Sequence, residues 1–276
     1  LHLLSAKSHR LLYSMEMPYT ETITTLKVMP LEASELTHEQ KSLVVVGSAQ
    51  QRGEDMPAKG ALTVLEILDV VPEPDDDETG VKLHVISREE PRGAVTAIET
   101  FLGGLIGTAQ GQKLMVRGLK EDGSCLPVAF LDAQCQMVTL KTFARSGMWL
   151  GADVWKGLWF GAFTEEPYKL SVLGKSRTQM EVVCAEFLPA DADQPLDGAN
   201  GDSGTPPPQP TPLFHVLVTT QTGSIGLITP VDETSYRRLG AVEAHLTSIL
   251  EHAAGLNPRE FRAVDSEGFG ARGVVD

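Results

Sequence analysis

The chain has 276 residues, 42% of them apolar and 22% charged, which is enough to bury a core in one large domain or two smaller ones and excludes a low-complexity or fibrous chain. Its 37 acidic residues against 23 Lys and Arg leave a formal charge of −14. That balance disfavours a broad groove for duplex nucleic acid and favours partners with basic segments, while leaving room for a local basic patch.

The chain opens Leu1-His2-Leu3-Leu4 without an initiator Met, and we read it as a piece of a longer protein. No apolar run approaches the roughly 20 residues needed to cross a bilayer, so no membrane is expected among its partners. Ile23 to Met29 alternates, as a half-buried strand does. A block then appears that recurs four times: an apolar run ending in a small residue, a polar turn, and a second apolar run. It reads Leu43–Gly47 with Gly60–Leu65, Gly104–Gly107 with Lys113–Val116, Met148–Gly151 with Gly157–Phe160, and Phe214–Thr219 with Ser224–Ile228. Between the blocks, strands are predicted at Lys82–Ile86, Gly93–Ile98, Leu126–Leu131, Met137–Leu140, Lys169–Leu173 and Met180–Phe187. Gly107 and Gly151 are 44 residues apart, close to the ~40–45 residues of one four-stranded propeller blade. Blades packed face to face cover their strands on both sides, which accounts for unbroken apolar runs such as Leu43–Val46. The fold class read here is mainly β: a partial WD40-like β-propeller, lacking the Trp-Asp and Gly-His marks of standard WD repeats, followed by the start of a C-terminal α-helical domain.

The domain reading is blades over 1–188, a disordered Gly/Pro-rich insertion over 189–212, a further propeller hairpin over 213–231, and the start of a helical segment over 232–276. The insertion contains Pro206-Pro207-Pro208-Gln209-Pro210 and too little apolar surface to fold. In the last segment Asp232 or Ser235 serves as a cap. Leu239, Val242, Leu246, Ile249 and Leu250 follow at helical spacing, Gly255 ends that helix, and Asn257-Pro258 opens another.

No catalytic set is present in the sequence: no GxSxG, no HExxH and no phosphate-binding loop. The three cysteines, Cys125, Cys135 and Cys184, have neither CxxC spacing nor an even number, and each reads as a small core hydrophobe. Gly103-Gly104 reads as a tight turn, Asp132 and Asp153 as strand-end residues, and Asp75–Glu78 as a solvated loop tip. We expect no enzyme activity, no metal and no cofactor. Trp149, Trp155, Trp159, Phe160 and Phe163 cluster with Lys156 as their one basic neighbour, and core packing is the preferred reading for all five aromatics. Candidate contacts for a partner or RNA are Lys156, Arg237, Arg238 and Arg259.

Five further segments carry a resemblance. Gly111–Leu119, Glu165-Glu166-Pro167-Tyr168-Lys169-Leu170, Gly223–Ile228, Ser235-Tyr236-Arg237-Arg238-Leu239 and Gly255–Arg259 resemble the C-terminal region of the largest subunit of the cleavage and polyadenylation specificity factor, with a fungal character. Arg52-Gly53-Glu54-Asp55 is shared with the wider superfamily of the damaged-DNA-binding protein. The resemblance spans nearly the whole chain. It implies a three-propeller scaffold, with this chain forming much of the third propeller and the start of the helical domain. It also implies a nuclear, non-catalytic role in pre-mRNA 3′-end processing, holding a WD-repeat subunit and a zinc-finger subunit, with pre-mRNA contacted indirectly. The alternatives are a propeller that binds RNA directly, and a superfamily relative that acts as a ubiquitin-ligase adaptor or splicing-factor subunit. Relatives carry a further strand-rich segment where this chain has only Asp191 to Pro212, which leaves ring closure open.

Overall fold

The computed structural model describes residues 1–32, 39–71, 80–143, 147–153, 155–176, 180–189, 214–228 and 274–275. Contacts divide the chain into two units, Leu1–Lys175 and Ser176–Asp276. The first holds a two-stranded hairpin, β1 (His2–Leu4) and β2 (Leu11–Ser14), and three four-stranded antiparallel meanders. Sheet I comprises β3 (Glu21–Glu32), β4 (Gln40–Gln50), β5 (Lys59–Asp69) and β6 (Val81–Glu89). Sheet II comprises β7 (Val95–Phe101), β8 (Leu105–Gln110), β9 (Lys113–Leu119) and β10 (Cys125–Asp132). Sheet III comprises β11 (Met137–Phe143), β12 (Met148–Asp153), β13 (Gly157–Glu165) and β14 (Tyr168–Lys175). The second unit holds sheet IV: β15 (Val182–Pro189), β16 (Phe214–Thr220), β17 (Ile225–Ile228) and β18 (Val274–Val275).

Each recurring block is the middle pair of one sheet: β4–β5, β8–β9, β12–β13 and β16–β17. The fold is mainly β, as expected, and its unit is the four-stranded meander of a propeller blade. The small residue in the block has a packing cause. A Cβ on Gly47 would lie 2.6 Å from Val95, one on Gly107 2.1 Å from Phe101, and one on Gly151 2.5 Å from Met137. In each case a side chain from a sheet's first strand lies across the glycine.

Sheets I to III stack face to face. Met29, Leu31, Leu43, Val45, Leu62 and Val64 of sheet I interlock with Val95, Ile98, Ile106, Leu119 and Cys125 of sheet II. The other face of sheet II, with Ala97, Phe101, Leu105, Leu114 and Val116, packs on Met137, Leu140, Trp149, Trp159, Phe163 and Leu170 of sheet III. The central strands of sheet II, β8 and β9, are therefore covered on both faces, while its outer strand β10 keeps exposed residues such as Leu126 and Phe130. Val44, Val46 and Leu65, on the far face of sheet I, are met by Leu1 and Met15 flanking the β1–β2 hairpin.

The first strand of every sheet is bulged at the same place. The pairing skips Thr24 in β3, Thr96 in β7, Val138 in β11 and Val183 in β15. In the first two sheets the extra residue is a threonine whose hydroxyl reaches forward. Thr24 Oγ1 donates to the carbonyl of Val95, on β7, and to Gly47 O at 3.0 Å. Thr96 Oγ1 donates to the carbonyl of Met137, on β11, and to Ala109 O at 3.3 Å. The accepting residue in each case directly precedes the next bulge. At the far end of β7 and β11, Thr142 Oγ1 donates to Thr100 O at 2.8 Å. Val138 has no hydroxyl, so the series of bulge donors ends with sheet II.

The segment 189–212 and the expected helices over 232–273 lie outside the described residues, Pro189 excepted as the last residue of β15. Within the final segment, Val274–Val275 form a strand paired to β17, in place of the helical continuation expected there. Cys184 is also a correction: Cys125 and Cys135 are buried, but Cys184, on the exposed phase of β15, faces solvent.

Candidate partner-binding surface

Strand direction gives sheets I to III two ends. One end carries the β4–β5, β8–β9 and β12–β13 turns and the β6–β7 and β10–β11 connections, and these segments are tied to one another through the backbone. Lys59, at the start of β5, bridges Arg92 of the β6–β7 connection. Gly111 N, in the β8–β9 turn, donates to Ala94 O at 2.9 Å, and Gly93 approaches Gly111 so closely that a Cβ on it would lie 2.6 Å from the Gly111 Cα. The carbonyl of Gln112 accepts from Ala133 N at 3.0 Å and Gln134 N at 3.2 Å, fastening the β10–β11 connection. Gln134 sits in the left-handed region (φ 54°). Its own carbonyl takes the Lys156 ammonium at 2.8 Å, which joins the β12–β13 turn to the ridge.

Exposed side chains at this end include the cations Arg52, Arg92, Lys113, Lys156 and Lys175, the acids Glu54, Asp55, Glu90 and Asp132, and the aromatics Phe130 and Trp155. Lys113 Nζ lies 5.6 Å from the centre of the Phe130 ring, and Lys175 Nζ 3.6 Å from that of Trp159. Phe130 is 65% and Trp155 71% exposed. The Cys135 thiol beneath is pushed up to about 11, chiefly by burial and then by the Asp153 carboxylate, while Lys156 and Lys175 pull the other way. Both ammonium groups therefore act on the same spot.

Three cations elsewhere in the stack are held in ion pairs. Arg88, on β6, reaches across sheet I to Glu21 on β3, with Nη2 2.5 Å from Oε2 and Nη1 3.3 Å from Oε1; Ser48 Oγ donates to the same carboxylate at 2.6 Å. Burial raises the Glu21 carboxyl, but the Arg88 and Ser48 bonds outweigh it and hold the group below the ordinary carboxylate value. Arg117 is buried between sheets I and II. Its Nε lies 3.0 Å from Glu89, and its other nitrogens donate to Thr108 and Gln110 at 2.7 Å. Burial lowers its pKa, opposed by Glu89. Lys27 pairs with Glu99 across the same interface. Among the described residues, no ion pair involves Arg92, Lys113, Lys156 or Lys175.

Of the four residues singled out in the sequence, Lys156 lies exposed on this ridge, and Arg237, Arg238 and Arg259 lie outside the described residues. Trp149, Trp159 and Phe163 are buried and Phe160 half-buried, as expected of a core cluster. Trp155 is not: it stands in the turn between β12 and β13, where no facing sheet covers it. Arg92, Lys113, Lys175 and Phe130 went unremarked because they are separated in sequence and meet only through the stacking. Among the described residues no group of three or more His, Cys, Asp or Glu could hold a metal ion, and no helix is long and apolar enough to cross a membrane.

Comparison with known proteins gives one family. The family model described as the CPSF A subunit region matches residues 1–199 and 199–276. Protein cft1 of Aspergillus niger is 42% identical over 96% of this chain and 23% of its own length. Protein CFT1 of Coccidioides immitis is 40% identical over 99% and 24%, and protein cft1 of Aspergillus fumigatus 41% over 100% and 24%. The chain thus spans about a quarter of the length of the curated relatives it matches. The Aspergillus fumigatus alignment runs over 330 positions for 276 residues, so 330 − 276 = 54 positions lie opposite no residue of this chain. The chain belongs to the CPSF A subunit region family.

Proposed function

We propose that this chain is part of a non-catalytic scaffold subunit of the nuclear pre-mRNA 3′-end cleavage and polyadenylation complex. The observation that carries the reading is the match to proteins named CFT1 along nearly the whole chain, at about 40% identity. The stacked sheets support it, since a rigid array with outward turns is a platform for docking. In this reading 1–188 supplies blades of the third propeller, 189–212 is a surface insertion, 213–231 adds a hairpin, and 232–276, apart from the Val274–Val275 strand, begins the helical domain. The partners are a WD-repeat subunit and a zinc-finger subunit that recognise the polyadenylation signal.

The test is affinity purification of the intact parent protein, with and without residues 1–175. Recovery of those two subunits with the parent, and their loss on deletion, supports the scaffold role. Unchanged recovery after deletion, or co-purification of ubiquitin-ligase or splicing subunits in their place, would overturn it.

A further inference from the structure

We infer that the arm formed by the far ends of β5 and β6 takes up an extended segment of a partner protein, basic and apolar in composition, as an added strand along β5 beyond Leu65. The inference rests on sheet I alone and does not depend on the function proposed above.

The first observation is a free backbone edge. β4 pairs with β5 as far as Val44 opposite Leu65, where that ladder ends. β5 and β6 continue: Glu66 faces His84, Ile67 faces Leu83, Leu68 faces Lys82 and Asp69 faces Val81, and Val70 N donates to Gly80 O at 2.9 Å. β4 stays with β3, Leu31 facing Lys41, and an ion pair from Lys41 to Glu66 at 3.5 Å spans the base of the fork. Among the described residues no strand pairs with Ile67, Leu68 or Asp69 on the side away from β6. A row of bare N–H and C=O groups is matched by another extended backbone.

The second observation is apolar exposure on the same stretch. Ile67 is 47%, Leu68 37%, Val70 38% and Val71 92% exposed. Where β9 and β13 outrun their own inner neighbours, the apolar residues Leu119 and Phe163 are buried, and the turns that follow are polar: Lys120 to Ser124, and Glu166-Pro167. Successive residues of a strand point to opposite faces, so Ile67 and Leu68 offer apolar surface on both sides of the arm. A two-stranded ribbon is marginal in water by itself, and a third strand laid on β5 would cover these side chains as it satisfies the edge.

The third observation is charge, which selects the occupant. At this end of sheets I to III the exposed described acids are Glu39, Asp69, Glu121, Asp122, Glu165 and Glu166, against exposed Lys41, Lys82 and Lys169. The sequence joining Val71 to Gly80 adds Glu73, Asp75, Asp76, Asp77 and Glu78 and no Lys or Arg. Nucleic acid and anionic lipid are repelled from such a surface, and so is a second copy of a chain whose charge is −14. A strand carrying Lys or Arg among apolar residues meets both the charge and the exposed side chains.

The experiment is fluorescence anisotropy of the 276-residue chain with four labelled decapeptides: alternating Lys and Val, the same with Glu for Lys, the same with Ser for Val, and the Lys–Val peptide N-methylated at every second residue. Thermal melting of every variant controls for folding. The Lys–Val peptide should bind, and each of the other three should bind at least about tenfold more weakly. Val70→Ser with Val71→Ser should weaken binding at least about fivefold. Val172→Ser with Leu173→Ser, on exposed residues of the outer strand β14, should leave it unchanged. The intact parent protein should bind the same peptide. Equal affinity for the N-methylated peptide overturns strand addition, and equal affinity for the Ser or Glu peptide overturns the basic, apolar occupant. Wild-type affinity in the folded Val70, Val71 variant, or an equal loss in the β14 variant, overturns the location. Failure of the intact parent to bind shows the arm already covered by its own chain and overturns the partner. Self-association of the chain in sedimentation, abolished by the Val70, Val71 variant, would assign the arm to a second copy and overturn it as well. Subunit recovery enters none of these outcomes, so the scaffold reading stands or falls separately.

Discussion

Replacing Thr96 by valine removes one hydroxyl and keeps the shape. Thr96 is half-buried at the β7 bulge, and its hydroxyl donates to Met137 O on the neighbouring sheet. Valine is comfortable in a strand and already occupies the equivalent bulge positions at 138 and 183, so backbone strain does not enter. What is lost is one neutral hydrogen bond, about 1 kcal/mol net, rising towards 2 if the Met137 carbonyl finds no water. For a unit of this size that is a fall in Tm of roughly 2–8 °C. Urea or thermal denaturation of the chain measures it. Thr96→Ser, which keeps the hydroxyl and drops the methyl, is the control. Serine should retain the stability that valine loses. If Thr96→Val matches wild type within about 0.3 kcal/mol, or if serine costs as much as valine, the hydroxyl does not join the sheets and the reasoning fails. Thr24→Val should behave alike at the interface of sheets I and II.

Gly161→Ala places a Cβ 2.1 Å from the Trp149 ring and 2.3 Å from Ser171 O, so it should destabilise by about 3 kcal/mol or abolish folding, whereas Gly174→Ala, with nothing within 4 Å, should stay within about 0.5. Glu21→Gln should cost about 1–3 kcal/mol at pH 7. Because the folded-state pKa of Glu21 is lowered, its contribution exists above the unfolded value and is lost as pH falls through the folded one. The gap between variant and wild type in urea melts should therefore close below about pH 4, and a gap independent of pH would refute the ionic role. Iodoacetamide at pH 7.5 should label Cys184 in the native chain and spare Cys125 and Cys135, both buried with raised pKa, until denaturant is added; native labelling of Cys135 would contradict the packing of sheets II and III.

The middle hairpins were legible because their strands are buried on both faces, and unbroken apolar runs such as Leu43–Val46 survive in sequence as a visible signal. Outer strands were legible in outline, since β6, β10 and β14 keep enough apolar residues among exposed ones to be placed. The bulges were not. Threonine is common in strands, and nothing in Ile23-Thr24-Thr25 or Val95-Thr96-Ala97 says that one residue will be skipped and its hydroxyl turned to the neighbouring sheet. The aromatic cluster was half legible. Trp149 and Trp159 sit in apolar runs and are core. Trp155, between Asp153 and Gly157, had a turn for its address, and that position is the signal that would have separated it from the rest. The ridge was the least legible feature, because Arg92, Lys113 and Lys175 are brought together by stacking rather than by spacing.

Each bulge threonine gives its proton to the sheet that follows and none to the sheet before, so the order of the sheets carries a polarity. A second copy of sheet II, inserted after the first, would be met by Thr96 and would in turn meet sheet III through its own threonine. A second copy of sheet III would be met by Val138 and find no donor there. Reshuffled variants of this protein are therefore not equivalent: permutations that keep a threonine-bearing sheet upstream of every junction should tolerate rearrangement better than those that move sheet III forward.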